Sequence, residues 1–238
     1  MAAARSGGSV ARTVVVVLLV LGVLVVAADR GAAALAGWRA GAALQTALKT
    51  STRPSVTIAG FPFLTQVLGG VYEEVRISAE EVPTATVPVA AMTATLHQVR
   101  LQGSSSVTAE SAVGLALLHW ADLAAAAPVP GVELSAGPSS DQVRVSRTVT
   151  VLGLSVPLSG LATVAVVEGG VKVSAVSVDV GGSALGSLLP AQLRDMLTFT
   201  VPVSGLPGGV QLTSVSSSEP GLELMLTGTN VTFSTPPA

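Results

Sequence analysis

The side chains that could bind a metal or carry out catalysis are few in this sequence and stand apart. The two histidines, His97 and His119, lie on different predicted elements, and the chain contains no cysteine. A zinc site needs several histidine, cysteine or carboxylate ligands close together, so this spacing argues against a metal centre. His119 and Asp122 would meet on a helix, but a pair at that spacing is usually a surface pair.

Nucleophiles and paired carboxylates give no stronger signal. The segment GGSAL at 181–185 comes nearest to the G-x-S-x-G turn of hydrolases, but Leu185 stands where that turn needs a glycine. Glu73-Glu74 and Glu80-Glu81 are adjacent on a predicted strand, where neighbouring side chains point to opposite faces. No glycine-rich phosphate loop is present. We therefore predict a protein that is not an enzyme and that uses no cofactor.

Composition narrows the remaining functions. Charged residues make up 11% of the 238 residues and hydrophobic residues 49%, with a formal net charge of −2. The basic residues are scattered, and nucleic-acid binding is not expected because phosphate contacts need a basic patch. The apolar excess must lie in a large core, line a cavity or face a membrane. Composition does not choose between a ligand groove and an ordinary core.

The strongest topological signal is the apolar run Val14–Ala28, which Arg5 and Arg12 precede and Asp29 ends. As a helix the run covers about 22 Å, short of the roughly 30 Å hydrocarbon core of a bilayer. The small residues of 26–28 also suit signal cleavage. Residues 1–28 are thus predicted to be either a signal peptide or a membrane anchor. Positive charge before the run predicts that residues 29–238 form one extracytoplasmic domain.

The rest of the chain combines helices with many strands. Residues 30–50 predict a helix that carries Leu35 and Trp38 on its apolar side and ends before Pro54. From Ser55 onward most segments alternate with a period of two, as half-buried strands do. Two further helices are predicted, at 111–127 with Val113, Leu117, Trp120 and Ala124 on one stripe, and at 183–199. We predict an α+β fold with an elongated, curved antiparallel sheet wrapped on amphipathic helices.

The segment GFPFLTQVLGG at 60–70 is the best candidate for a binding site. It holds two of the four phenylalanines, lacks charge, and is predicted to form a turn or one-turn helix between two strands. It is a hydrophobic plug of the core, a lip over a lipid-binding groove, or a loop that enters a membrane face. If the backbone of this turn is extended, the side chains of Phe61 and Phe63 would point to the same side of it. The predicted lipid-contacting residues are Phe61, Phe63, Leu64, Val67 and Leu68, with Leu117 and Trp120 from the helix at 111–127.

This segment also carries a family resemblance. Along the chain, an apolar N-terminal segment is followed by a helix, by GFPFLTQ and then by YEEVRISAEEV. Residues 206–233, near the C-terminus, contribute to the same resemblance. The order resembles the LmeA-like phospholipid-binding proteins, an actinobacterial envelope family named for a lipomannan elongation factor. The resemblance implies an elongated fold akin to tubular lipid-binding proteins. It also implies phospholipid or glycolipid as partner, at the outer face of the plasma membrane, and brings no catalytic residue with it.

Three classes of function follow from these observations. The first is a cell-envelope protein that binds or shuttles phospholipid or glycolipid and assists glycolipid maturation. The second is an envelope scaffold that binds a protein partner, of unknown identity, and holds no lipid. The third is a hydrolase or transferase on envelope lipids, which the lack of an assembled nucleophile, metal or carboxylate pair disfavours.

Overall fold

The computed structural model describes residues 7–84, 87–102, 106–127, 131–151, 154–168, 170–180, 183–184, 199–202 and 206–234. Its helices are α1 (Gly7–Leu48), α2 (Phe63–Gly69) and α3 (Trp120–Ala125). Its strands are β1 (Ser55–Ala59), β2 (Val71–Val82), β3 (Val89–Gln102), β4 (Ser106–His119), β5 (Val132–Ala136), β6 (Gln142–Val151), β7 (Leu154–Val167), β8 (Gly170–Val180), β9 (Ser183–Ala184), β10 (Phe199–Pro202), β11 (Gly208–Ser217) and β12 (Gly221–Ser234). The predicted α+β class is confirmed.

The strands form two open antiparallel sheets. The first sheet has the order β1-β2-β3-β4-β12-β11, and the second has the order β10-β8-β7-β6-β5, with β9 pairing β8. Every adjacent pair is antiparallel, as the alternating sequence pattern predicts. The alternation seen from Ser55 onward corresponds to real strands, which include β1, β2, β3, β6, β7, β8, β11 and β12.

Helix α1 packs along the edge strand β1 through small residues rather than large ones. Ala33, Gly37 and Gly41 are buried, four residues apart, on the side that faces β1. A Cβ built on Gly37 would stand 2.3 Å from the Val56 carbonyl oxygen, so only glycine permits this approach. The apolar side with Leu35 and Trp38 is not the side that packs on β1, because both side chains are exposed. Bulky residues on the packing side would have held the helix away from the strand.

One face of the first sheet, here called the inner face, is apolar. Register places Ile77, Ala94, Gly114, Leu226 and Leu212 in a single row across five strands. A buried cluster around Leu96, Val99, Ala109, Ala112 and Val231 lies towards one end of this face. A second cluster, at the other end, joins Leu222 to Val143, Val164 and Val171 of the second sheet. The inner face therefore connects two separate cores.

Two predicted helices need comment. The helix predicted at 111–127 is wrong over most of its length, because residues to His119 belong to β4 and only Trp120–Ala125 are helical. Strand β4 pairs with β3 on one side and β12 on the other, and this pairing overrides the helix propensity of its alanines and leucines. The helix predicted at 183–199 falls largely outside the described residues, although its ends, Ser183-Ala184 and Phe199, are strand residues.

Candidate functional site

Helix α2 forms between β1 and β2 as a one- to two-turn apolar helix, as the sequence predicts. Its first backbone N–H groups, like those of any α-helix, have no partner within the helix and need an outside acceptor. Asp29 of α1 supplies it: the Phe63 N–H donates to Asp29 Oδ2 at 3.0 Å and the Leu64 N–H donates to Oδ1 at 2.9 Å. A residue 34 positions away thus caps α2 and joins it to α1.

Asp29 is only 1% exposed, and the charge of its carboxylate is paired. Arg30 Nη2 donates to Asp29 Oδ2 at 2.7 Å and also to the Gly60 carbonyl at 2.7 Å. The same guanidinium lies 5.3 Å from the centre of the Phe61 ring, within the range of a cation–π contact. Asp29 and Arg30, which sequence reasoning treated only as the end of the apolar run, are therefore the residues that position the GFPFL turn.

Gln66 holds the other side of the turn. Its Nε2 donates to the Ala59 carbonyl at 3.2 Å, and its Oε1 accepts the Glu73 N–H at 2.9 Å. Gly60, with φ of 95°, leaves space for this amide, since a Cβ there would stand 2.4 Å from Gln66 Nε2. The buried polar side chain thus ties the end of β1 to the start of β2 across α2.

The two phenylalanines differ in burial, so the shared side expected of an extended turn does not occur. Phe63 is 4% exposed and its ring lies 6.3 Å from that of Tyr72, whereas Phe61 is 57% exposed. The helix that begins at Phe63 ends the extended geometry that the shared side required. The exposed residues Phe61, Leu64, Val67 and Leu68, the last 89% exposed, form what we call the apolar patch of α2. The structure brings these four predicted residues together and leaves Phe63 in the core.

The apolar patch of α2 lies next to the apolar run of α1. Within the described residues, α1 is the one helix long and apolar enough to cross a membrane, and the large side chains of its apolar run are exposed. This arrangement fits both a signal sequence and a membrane anchor. The run ends at Ala28, and the next residue, Asp29, is the one that caps α2.

A second apolar surface lies on the inner face of the first sheet, between the two buried clusters. It consists of Met92, Ala94, Gly114, Ala116 and Leu226, all half-buried, and is called the trough below. Its central residue, Gly114, is not crowded, because a Cβ built there would meet only ordinary contacts of 3.6 Å or more. Three of its five residues, Ala94, Gly114 and Ala116, have small side chains or none.

The depression on the opposite, outer face is a poorer place for an apolar ligand. It has a volume of about 190 Å³ and is lined mainly by polar residues of β1, β2 and β3: Ser55, Thr57, Arg76, Ser78, Thr93 and Thr95. Pockets for small-molecule ligands usually have roughly 300–1,000 Å³ and a mostly apolar lining. The outer depression is therefore smaller than such pockets, and the trough is the more apolar of the two surfaces by residue type.

Comparison with known proteins decides the family. A family model described as LmeA-like phospholipid-binding matches residues 27–227. The chain belongs to this family. The match begins just before Asp29 and ends in β12, so it contains the capped α2, the trough and both sheets. Neither a comparison with curated proteins nor one with solved structures gave a match.

In this LmeA-like chain, the remaining two predicted contact residues lie far from α2. Leu117 is on the outer face of β4, opposite Ala91 and Glu223. Trp120 packs against the cluster that joins the two sheets, and its Nε1 donates to the Ser218 carbonyl at 3.0 Å. Strand β4 covers about 30 Å between Thr108, at the α2 end of the sheet, and Leu117. The structure therefore does not bring Leu117 and Trp120 together with the predicted contact residues of α2.

The polar residues considered for chemistry are also separate in this LmeA-like fold. His97 Nδ1 is 3.8 Å from Glu74 Oε2, and the Glu74 carboxylate also pairs with Arg76. His119 instead contacts the Pro220 carbonyl through Nδ1 at 3.1 Å. Over the described ranges, no three histidine, aspartate or glutamate side chains are grouped for metal binding.

Proposed function

We propose that the protein binds phospholipid or a related glycolipid at the outer face of the plasma membrane and holds or shuttles it during envelope glycolipid maturation. The observation that carries this proposal is membership of the phospholipid-binding family over residues 27–227. The exposed apolar run of α1 supports a location at a membrane. In this role the protein binds the lipid and does not change it chemically, since lipid transfer needs an apolar binding surface and no nucleophile.

The trough on the inner face is the surface proposed to contact the acyl chains. Its residues are apolar and half-buried, and the two clusters at its ends fix the strands that carry it. An acyl chain laid along it would leave water together with the side chains beneath it. This transfer contributes about 0.8 kcal/mol for each buried methylene group, so a few methylenes suffice to hold a lipid.

A matched pair of variants in β4 tests this surface. Gly114→Phe places a ring over the trough, whereas Leu115→Phe, one residue later, places the same ring on the outer face. We expect uptake of a fluorescent phospholipid from donor vesicles to fall strongly for Gly114→Phe and to stay at the wild-type level for Leu115→Phe. Equal uptake by both variants, with equal melting temperatures, would show that the trough does not hold the lipid.

A scaffold function is the second candidate, and exposed apolar residues on the outer face of the first sheet support it. Val113 and Leu115 of β4 and Met225 of β12 are exposed side by side, with Leu115 directly opposite Met225. Such a patch would suit a protein partner. If Leu115→Glu abolished the envelope phenotype of the protein while phospholipid uptake stayed normal, the result would favour the scaffold function over lipid binding.

A further inference from the structure

We propose that the apolar patch of α2 docks onto the outer leaflet of the membrane that α1 enters, and that Asp29 makes the anchor and α2 one docking unit. The proposed occupant of the patch is a lipid bilayer surface. This docking goes beyond the binding of single lipid molecules. It does not depend on the trough.

The first argument is continuity between α2 and the apolar run. Asp29 follows Ala28 directly, and both of its carboxylate oxygens accept backbone N–H groups of the first turn of α2. Arg30 adds a bond to Gly60, just before the turn. The first turn of α2 is therefore hydrogen-bonded to the residue that directly follows the run.

The second argument is the length of the run. Val14–Ala28 as a helix covers about 22 Å, against a hydrocarbon core of roughly 30 Å. A span that is too short is accommodated by local thinning of the bilayer, which leaves the flanking residues at the hydrocarbon boundary. Asp29 tolerates this position because its charge is already paired with Arg30 and with two N–H groups. Residues fixed to Asp29 then lie at the depth of the headgroups.

The third argument is the chemistry of the patch. Phe61, Leu64, Val67 and Leu68 are exposed, and no charged residue occurs from Gly60 to Gly70. Interfacial helices bury such faces about 5–10 Å into the boundary between headgroups and acyl chains. The guanidinium of Arg30 is partly exposed beside Phe61, where a cation suits lipid phosphates. A bilayer matches both the apolar patch and the adjacent cation.

A single fluorescent label tests the docking in the full chain. The protein has no cysteine, so Leu68→Cys and Leu115→Cys each give one labelling site, on α2 and on the outer face of the first sheet. Both positions are exposed, so neither change removes core packing. Each variant is labelled with an environment-sensitive dye and reconstituted into vesicles that contain lipids with a nitroxide at headgroup depth. We expect a blue shift and quenching at residue 68, and neither at residue 115.

Two results would overturn the docking. One is a label at residue 68 that is as water-exposed and as poorly quenched as the label at residue 115. The other is a blue shift at residue 68 that grows with protein concentration but is insensitive to the lipid quencher, which would identify a second copy of the chain as the occupant.

Asp29→Asn in the Leu68→Cys background tests the coupling. The substitution removes the charge that the two N–H groups and Arg30 share. Quenching at residue 68 should decrease, and the Phe63 and Leu64 amides should exchange hydrogen faster. Quenching that stayed unchanged while these amides exchanged faster would overturn the role of Asp29.

Discussion

At the scale of single residues, the two phenylalanines of the GFPFL turn have different roles. Phe63 packs in the core against Tyr72, and Phe61 lies under Arg30 at the surface. Sequence reasoning identified the segment, its lack of charge and its helical character. It could not separate the two rings, because the separation depends on where α2 begins, and that is fixed by a hydrogen-bond acceptor 34 residues earlier.

Single alanine substitutions should separate these roles. Phe63→Ala removes a buried ring and leaves a cavity, and we expect it to lower the free energy of unfolding by about 3–5 kcal/mol. Phe61→Ala should leave the melting temperature nearly unchanged and slow the transfer of phospholipid between vesicles. Both variants are measured by thermal melting in detergent and by vesicle transfer. Equal destabilisation by the two substitutions would contradict the exposed position of Phe61.

At the scale of elements, the alternation of apolar and polar residues predicts strands correctly where one face is polar. It fails where both faces of a strand are apolar. In β4 the inner residues Ala112, Gly114 and Ala116 alternate with Val113, Leu115 and Leu117. Because apolar residues occupy both faces of β4, its sequence does not alternate between apolar and polar residues. The same residues also match the apolar stripe of a helix. In α1 the sequence shows an apolar side with Leu35 and Trp38, but this side is exposed and glycine and alanine pack on β1 instead.

The glycine contact between α1 and β1 gives the second prediction. Gly37→Ala would place a Cβ 2.3 Å from the Val56 carbonyl oxygen, and the resulting overpacking should destabilise the domain by about 1–3 kcal/mol. Gly31→Ala is the matched control in the same helix, because no atom lies within 4 Å of its Cβ position. Its helix propensity should make it neutral or stabilising by up to about 1 kcal/mol. Similar unfolding curves for the two variants would contradict the close contact.

At the scale of the whole molecule, α1 connects a membrane-compatible apolar run to a two-sheet domain. The helix continues without a break from the run into the half that packs on β1, and Asp29 marks the junction. The sequence predicted the run, the class of fold and the family. It could not predict how the two sheets meet, because their common cluster joins Leu222 to Val143, Val164 and Val171, residues far apart in the chain.

The orientation of the domain is the third prediction. Arg5 and Arg12 before the apolar run should keep the N-terminus in the cytoplasm and place the domain outside. A reporter that functions only after export, fused behind Ala238, should be active, and one that functions only in the cytoplasm should be inactive. The reverse pattern would contradict the proposed location at the outer face.

The most direct test of the central claim is to identify what the purified protein carries. The full chain is purified in a detergent that preserves bound lipid, extracted with organic solvent and analysed by mass spectrometry, with Gly114→Phe prepared in parallel. We predict phospholipid or glycolipid in near-stoichiometric amount from the wild-type protein and much less from the variant. A wild-type extract without lipid, together with no uptake from vesicles, would contradict the account.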